Sequence, residues 1–259
     1  MKNTFFSAKL CLIFKQRNNL MKSILICSAT EKEISDFIKN NAFTKTGSLE
    51  YSKKNSHTEM TIIIIGCGRH SAIYNLTKIF SQRKFDLVIL AGVCGSYNLN
   101  DKPGMMFVTD KAAFADAGII DQNNNFIPLN ETDFFLNDNL KYNKGYLTNS
   151  RAEYFSKLFN IEKASVNEVC ITLTDKTTLD RIKKYFDSRL ETMESASFYY
   201  VCKRENITFV ELRCCSNRVA PKNEEVWNLS FAIECLDLFL QRIFFKNITD
   251  GDNPYYFYQ

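Results

Sequence analysis

Apolar and polar positions along the chain switch between two periods. Ile24–Ser28 is a short apolar run that reads as a buried strand, and Glu31–Asn40 then sets Ile34, Phe37 and Ile38 at helical spacing. Thr61–Ile65 is β-branched throughout and closes on the turn Gly66-Cys67-Gly68. A helix is expected from about Ser71 to Gln82, with Ile73, Leu76, Ile79 and Phe80 on its apolar face. Asp86–Ala91 reads as a strand ending at Gly92, and Met105–Thr109 as another after the Pro103-Gly104 turn signal. The Asn-rich stretch Asp121–Gly145 is expected to be a long loop or insertion. Strand character returns at Ala164–Leu173. A polar amphipathic helix (Lys176–Ser188), a mostly buried helix (Thr192–Glu205), a strand (Thr208–Cys214) and a last helix (about Glu224 to Phe244) follow. Strands alternate with helices and no internal repeat is visible. The expectation is one α/β domain with a parallel or mixed sheet covered on both faces.

Length and composition agree with this and exclude some functions. A chain of 259 residues with 45% hydrophobic and 24% charged residues can bury a sizeable core. The net charge is only +4 and no basic stripe appears, so no nucleic-acid partner is expected. Nine cysteines, most of them in apolar runs and without a CxxC pair, suggest reduced thiols and a cytoplasmic location. With only His57 and His70 available, no metal site is expected. No apolar run reaches the roughly 18 residues that cross a bilayer, so no membrane partner is expected. The domain is expected to span 21–246, with 1–20 as an N-terminal extension or upstream start and 247–259 as an aromatic tail.

The chemistry gathers at strand ends, where open α/β sheets bind ligands. Glu31-Lys32-Glu33 follows the first strand. Taken alone it reads first as the capping box Thr30-x-x-Glu33, and second as a site carboxylate. Gly66-Cys67-Gly68-Arg69 and Gly92-Val93-Cys94-Gly95 are glycine turns that fit neither a dinucleotide fingerprint nor a P-loop. Leu190–Ala196 carries carboxylates where a buried strand meets a buried helix, which is costly unless they are bonded. Leu212–Asn217 ends another strand in polar groups.

Taken in order, these pieces resemble the nucleosidase and nucleoside phosphorylase superfamily. The resemblance runs from about Met21 to Leu240, with a poor match at 121–165. It rests on Ala29-Thr30-Glu31-Lys32-Glu33-Ile34, Ala91-Gly92-Val93-Cys94-Gly95 followed by Lys102-Pro103-Gly104, Met193-Glu194-Ser195-Ala196, and Arg213-Cys214-Cys215-Ser216-Asn217. Within it, Glu191–Glu194, Tyr200-Val201-Cys202, Ser216–Asn223 and Trp227-Asn228-Leu229 are similar to the futalosine hydrolase family. Ala220 stands where that family has a Glu and Lys222 where it has an Arg, which leaves acyl-group specificity open.

The resemblance implies a three-layer nucleoside phosphorylase-like domain with a mixed, partly barrel-like sheet flanked by helices. It implies Glu33 as the base that activates water and Glu194 as the partner of the ribose 2′-hydroxyl. Met193 would line the ribose, the Gly95 backbone would approach the sugar or base, and Cys170 and Ile171 would pack the purine. Asn217, where adenine-specific relatives have Asp, suits a 6-oxopurine, because an amide both donates and accepts. Leu90 and Val93 replace an Arg and a Ser that hold phosphate in hexameric phosphorylases, so water is the expected nucleophile. Arg69 is expected to point to solvent. No metal or organic cofactor is implied, and a homodimer or larger homo-oligomer is. The rivals are a methylthioadenosine/S-adenosylhomocysteine nucleosidase and a non-catalytic nucleoside-binding relative.

Overall fold

The structure is a computed structural model that describes residues 22–54, 58–123, 125–132, 140–171, 176–220 and 227–245, with backbone only at 130, 176–178 and 181. The expected extension 1–20, the tail 247–259, Pro221-Lys222-Asn223 and Leu173 lie outside the described residues.

Central strands form where apolar residues alternate between two cores. In β1 (Lys22–Ser28), Ile24 and Ile26 enter one core while Leu25 and Cys27 enter the other. A 3-10 turn (Glu31–Glu33) follows, then a break at Ile34, then helix α1 (Ser35–Asn40), where the sequence suggests one helix. An edge hairpin comes next, β2 (Thr44–Gly47) with β3 (Glu50–Lys54), and β3 pairs with β4 (Thr58–Ile64). Helix α2 (Arg69–Gln82) returns the chain to β5 (Leu87–Ser96). β5 runs through Gly92 and Gly95 instead of ending at the first glycine.

The second half adds β6 (Met106–Phe114), the small hairpin β7 (Gly118–Ile120) and β8 (Phe126–Pro128), and β9 (Leu147–Thr148). The expected loop at 121–145 thus holds part of a hairpin. Helix α3 (Ala152–Phe159), β10 (Glu162–Glu168), α4 (Lys176–Tyr185) and β11 (Leu190–Thr192) come next. Helix α5 (Ser195–Arg204), β12 (Phe209–Arg218) and α6 (Leu229–Phe244) complete the chain. The last helix starts at Leu229, where the Asn228 side chain accepts the Phe231 amide.

Ten strands form one mixed sheet in the order β11-β10-β6-β12-β5-β1-β4-β3-β2, with β9 on β6. β11 also pairs with β5, so β5, β12, β6, β10 and β11 close into a five-stranded ring. α1, α3 and α6 cover one core, and α2 and α5 the other. No described helix is long and apolar enough to cross a membrane.

β5 is the strand on which the site rests. β1 pairs with it from Leu87 to Leu90, and β11 only at Gly95 and Ser96. Between these partners the edge of β5 opens at Gly92 and Val93. On its other edge β12 follows it to Ser96, with a bulge between Cys215 and Asn217.

Candidate active site

At the gap in the β5 edge neither β1 nor β11 reaches Val93, and side chains take up its backbone groups there. The Val93 amide donates to Glu33 Oε1 at 3.0 Å, and the Val93 carbonyl accepts from Arg213 Nη1 at 3.1 Å. A Cβ on Gly92 would stand 2.6 Å from Arg213 Nη1 and 2.9 Å from Glu33 Oε1, so this close approach requires glycine.

Glu33 closes the capping box with one oxygen and turns the other toward a cavity. Its Oε2 accepts the Thr30 amide and hydroxyl, each at 2.9 Å, which completes the capping box. Oε1 faces Val93, and Glu33 lines a cavity of about 350 Å³.

Arg213 is wholly buried on β12. Its Nε donates to Glu211 at 2.7 Å, and its Nη2 reaches Ser195 Oγ at 3.3 Å and lies 3.6 Å from Glu194 Oε2. Ser195 also donates to Glu211, and Thr109 joins the same carboxylate at 2.6 Å. A buried guanidinium is retained here because each charge meets a partner.

Glu194 sits between β11 and α5: the helix expected from Thr192 begins only at Ser195, with Thr192 in the strand and Glu194 at the N-cap. Its Oε1 accepts the Gly68 amide at 2.8 Å. Gly68 has φ of 85°, a left-handed conformation that favours glycine. Burial raises the Glu194 pKa, opposed by the Arg213 charge, the Gly68 amide and the Cys67 thiol, while Glu33 adds to the rise.

At the cavity's other side, the bulge on β12 turns consecutive residues Ser216 and Asn217 toward the same space. Ser216 Oγ lies 3.0 Å from the Cys94 carbonyl and 2.8 Å from Asn217 Oδ1, leaving the Asn217 Nδ2 with only a 3.4 Å contact to the Arg218 carbonyl. Gly95 pairs with both Asn217 and Glu191. A Cβ there would stand 2.5 Å from Val219 Cγ2.

Glu33, Gly95, Met193, Glu194 and Asn217 therefore border one cavity. Ile171 does not: it is 68% exposed and absent from the lining, which corrects its expected place against the purine. β10 ends at Glu168, and the chain beyond is tied outward by Asp116, which accepts the Cys170 amide at 2.5 Å. Arg69 is not aimed at solvent either. Its Nε pairs with Glu168 at 2.7 Å and its Nη2 with Asp116 at 2.6 Å. Leu90 is core, whereas Val93 lines the cavity.

Several lining residues have no role assigned from the sequence, Cys67, Glu191, Lys32 and Trp227 among them. Cys67 faces Glu194, and burial raises its thiol pKa. Glu191 accepts the Tyr97 hydroxyl at 2.5 Å, and burial lifts its carboxyl to about 7. Lys32 and Trp227 also border the cavity. Alternation around Met193 hints at Glu191, since both Glu191 and Glu194 flank it. Among the described residues, no group of three or more His, Cys, Asp or Glu is placed to hold a metal ion.

No family model and no curated protein matches the chain. Solved structures do, and they share its fold. The 5′-methylthioadenosine/S-adenosyl homocysteine nucleosidase of Campylobacter jejuni superposes with a TM-score of 0.67 at 20% identity, covering 86% of this chain and 98% of its own. A futalosine hydrolase mutant of Helicobacter pylori gives 0.70 at 15% identity over 86% and 98%. The 5′-methylthioadenosine/S-adenosylhomocysteine nucleosidase of Neisseria meningitidis, in complex with methylthio-immucillin-A, gives 0.66 at 17% over the same shares. The architecture is thus the nucleosidase-like α/β fold with a five-stranded partial barrel, as the sequence leads one to expect.

Proposed function

We propose that this chain hydrolyses the N-glycosidic bond of a purine nucleoside, and that the nucleoside is futalosine, releasing hypoxanthine and dehypoxanthinyl futalosine in menaquinone biosynthesis. The observation that carries the reading is the convergence of Glu33 and Glu194 on one cavity around buried Arg213, with Asn217 on the same wall system. The fold shared with nucleosidases supports it.

Water would attack the anomeric carbon as the electron pair of the C–N bond leaves with the base. Glu33 Oε1 accepts a proton from that water, and the departing base takes one from solvent. Positive charge grows on the sugar as the bond breaks, so nearby carboxylates hold the transition state more tightly than the ground state. Glu194 receives the ribose 2′-hydroxyl, and Met193 packs on the ring. Asn217 Nδ2, with its oxygen occupied by Ser216, offers a donor to N7 or O6 of a 6-oxopurine. Val93 presents no group that holds a phosphate dianion, which favours water as nucleophile.

An adenine nucleoside would use the same carboxylates, and Asn217 is what separates the two readings. The bond from Val93 to Glu33 also gives that carboxylate a structural duty, so its presence alone does not argue against a binding protein. Released base from futalosine, inosine and methylthioadenosine, with and without phosphate, tests the proposal. Hypoxanthine from futalosine alone, independent of phosphate, is expected; adenine release from methylthioadenosine supports the rival. The reading includes a cytoplasmic homodimer or larger homo-oligomer, and light scattering of the purified chain tests the assembly.

A further inference from the structure

The cavity is lined by three carboxylates, those of Glu33, Glu191 and Glu194, and a field of that sign repels an anionic ligand. One lining residue opposes it. Lys32 is the only cationic side chain among the described lining residues, and its ammonium makes no ion pair or hydrogen bond among the described residues. Its sequence neighbours do not neutralise it. Glu31 accepts the Tyr51 hydroxyl at 2.6 Å, and Glu33 is taken by Thr30 and Val93. Asp36, one helical turn on, forms no ion pair with it among the described residues.

Apolar surface borders the same cavity at the start of α6. Leu229 and Ile233 line it, with Trp227 just before them 54% exposed. α1, which follows the turn carrying Lys32, packs along α6, and Asn40 reaches Asp237 at 3.3 Å. A cation and an apolar aromatic surface bordering one opening fit a flat apolar group that ends in a negative charge.

We infer that Lys32 selects nucleosides whose 5′ substituent ends in a carboxylate, held against the α6 side of the cavity. This rests on the reading of the cavity as a nucleoside site and assigns the specificity at its outer end to one residue. On that reading the base and the sugar go to Asn217 and Glu194, which leaves Lys32 for the 5′ substituent.

The test is direct binding, so it does not need turnover. Two C-nucleoside analogues of a hypoxanthine nucleoside, which cannot be hydrolysed, carry a 5′-linked benzoate or the matching benzamide. Calorimetry on the wild type is expected to show the benzoate bound roughly two- to fivefold more tightly, as one exposed charge pair provides. The preference should vanish in Lys32→Gln, reverse in Lys32→Glu and return in Lys32→Arg. Equal binding of the two analogues by the wild type, no binding of either, or a preference that survives Lys32→Gln overturns the inference. A preference that follows the charge at Lys32, together with no hydrolysis of any nucleoside, overturns the proposed reaction and leaves Lys32 as the anion selector.

Discussion

Glu33 accepts the amide proton of Val93 across 3.0 Å, at the place where β1 has left the edge of β5 and β11 has not yet reached it. The carboxylate proposed to activate water is therefore also a replacement for a missing strand. The two duties divide between its oxygens, with Oε2 held by Thr30.

That division makes Glu33→Gln informative. The amide still accepts from Val93 or Thr30 but cannot take a proton from water. Turnover should fall by roughly 10²–10⁴-fold, as for loss of a general base. Thr30→Ala, in contrast, should cost about 1 kcal/mol of stability through the cap and much less activity. Initial rates and urea midpoints for both variants check this; equal activity losses would deny Glu33 a chemical role.

Gly92→Ala should be more damaging than a glycine-to-alanine change in an ordinary strand. The new methyl meets Arg213 Nη1 and Glu33 Oε1, two groups pinned by their own hydrogen bonds. Overpacking of this kind costs about 1–3 kcal/mol. Thermal unfolding together with kcat should show both losses, and full activity would mean that the two side chains can part without harm.

Glu191 predicts a pH effect on stability. Burial lifts its carboxyl to about 7, with the Tyr97 hydroxyl opposing the rise. A carboxyl whose pKa is higher folded than unfolded contributes stability that is full below about pH 4 and lost as pH rises through the folded value. The loss is on the order of 3 kcal/mol. Glu191→Gln, which keeps an acceptor for Tyr97, should therefore gain on the wild type at pH 8 and not at pH 4. Glu168 is also lifted to about 7 but is present in both proteins, so the difference isolates Glu191. Parallel urea midpoints at the two pH values would remove the basis for this.

Asn217→Asp tests base choice. The wild type should prefer 6-oxopurine over 6-aminopurine nucleosides by roughly ten- to a hundredfold, the cost of one buried polar group left unpaired. The Asp variant should erode that ratio even if total activity falls. Competition between inosine and adenosine analogues measures it, and an unchanged ratio would make Asn217 a structural residue of the bulge.

Much of the fold was legible because buried strands and amphipathic helices differ in period. The β2–β3 hairpin was not, since all of Thr44–Gly47 is exposed and its residues carry no apolar alternation. β5 was cut short because glycine in a strand reads as a turn, whereas here both glycines stand where side chains approach the backbone. The candidate residues Glu33, Gly95, Met193, Glu194 and Asn217 were legible through ordered motifs. Ile171 lies outside the lining, and a position aligned past the end of a strand cannot say which way the chain leaves it. Arg213 reads in the sequence as a polar strand end, but its part in holding Val93 depends on the gap between β1 and β11, and no local pattern encodes a gap between distant strands. The same holds for the bulge at Ser216, which alone lets two successive residues face the cavity.

The sharing of β5 between the open sheet and the closed ring has a consequence for how the molecule breathes. Its amides are held on one edge by β12 and on the other by β1, by Glu33 and then by β11. No segment of β5 can detach by fraying from an edge, so the backbone beneath the cavity should exchange hydrogen with solvent only when the whole sheet opens, at the slowest rate in the protein. The floor of the cavity and the last cooperative unit to unfold are then one object. The part of the lining carried outside β5, around Lys32 and Trp227, is where side chains can change without touching that unit.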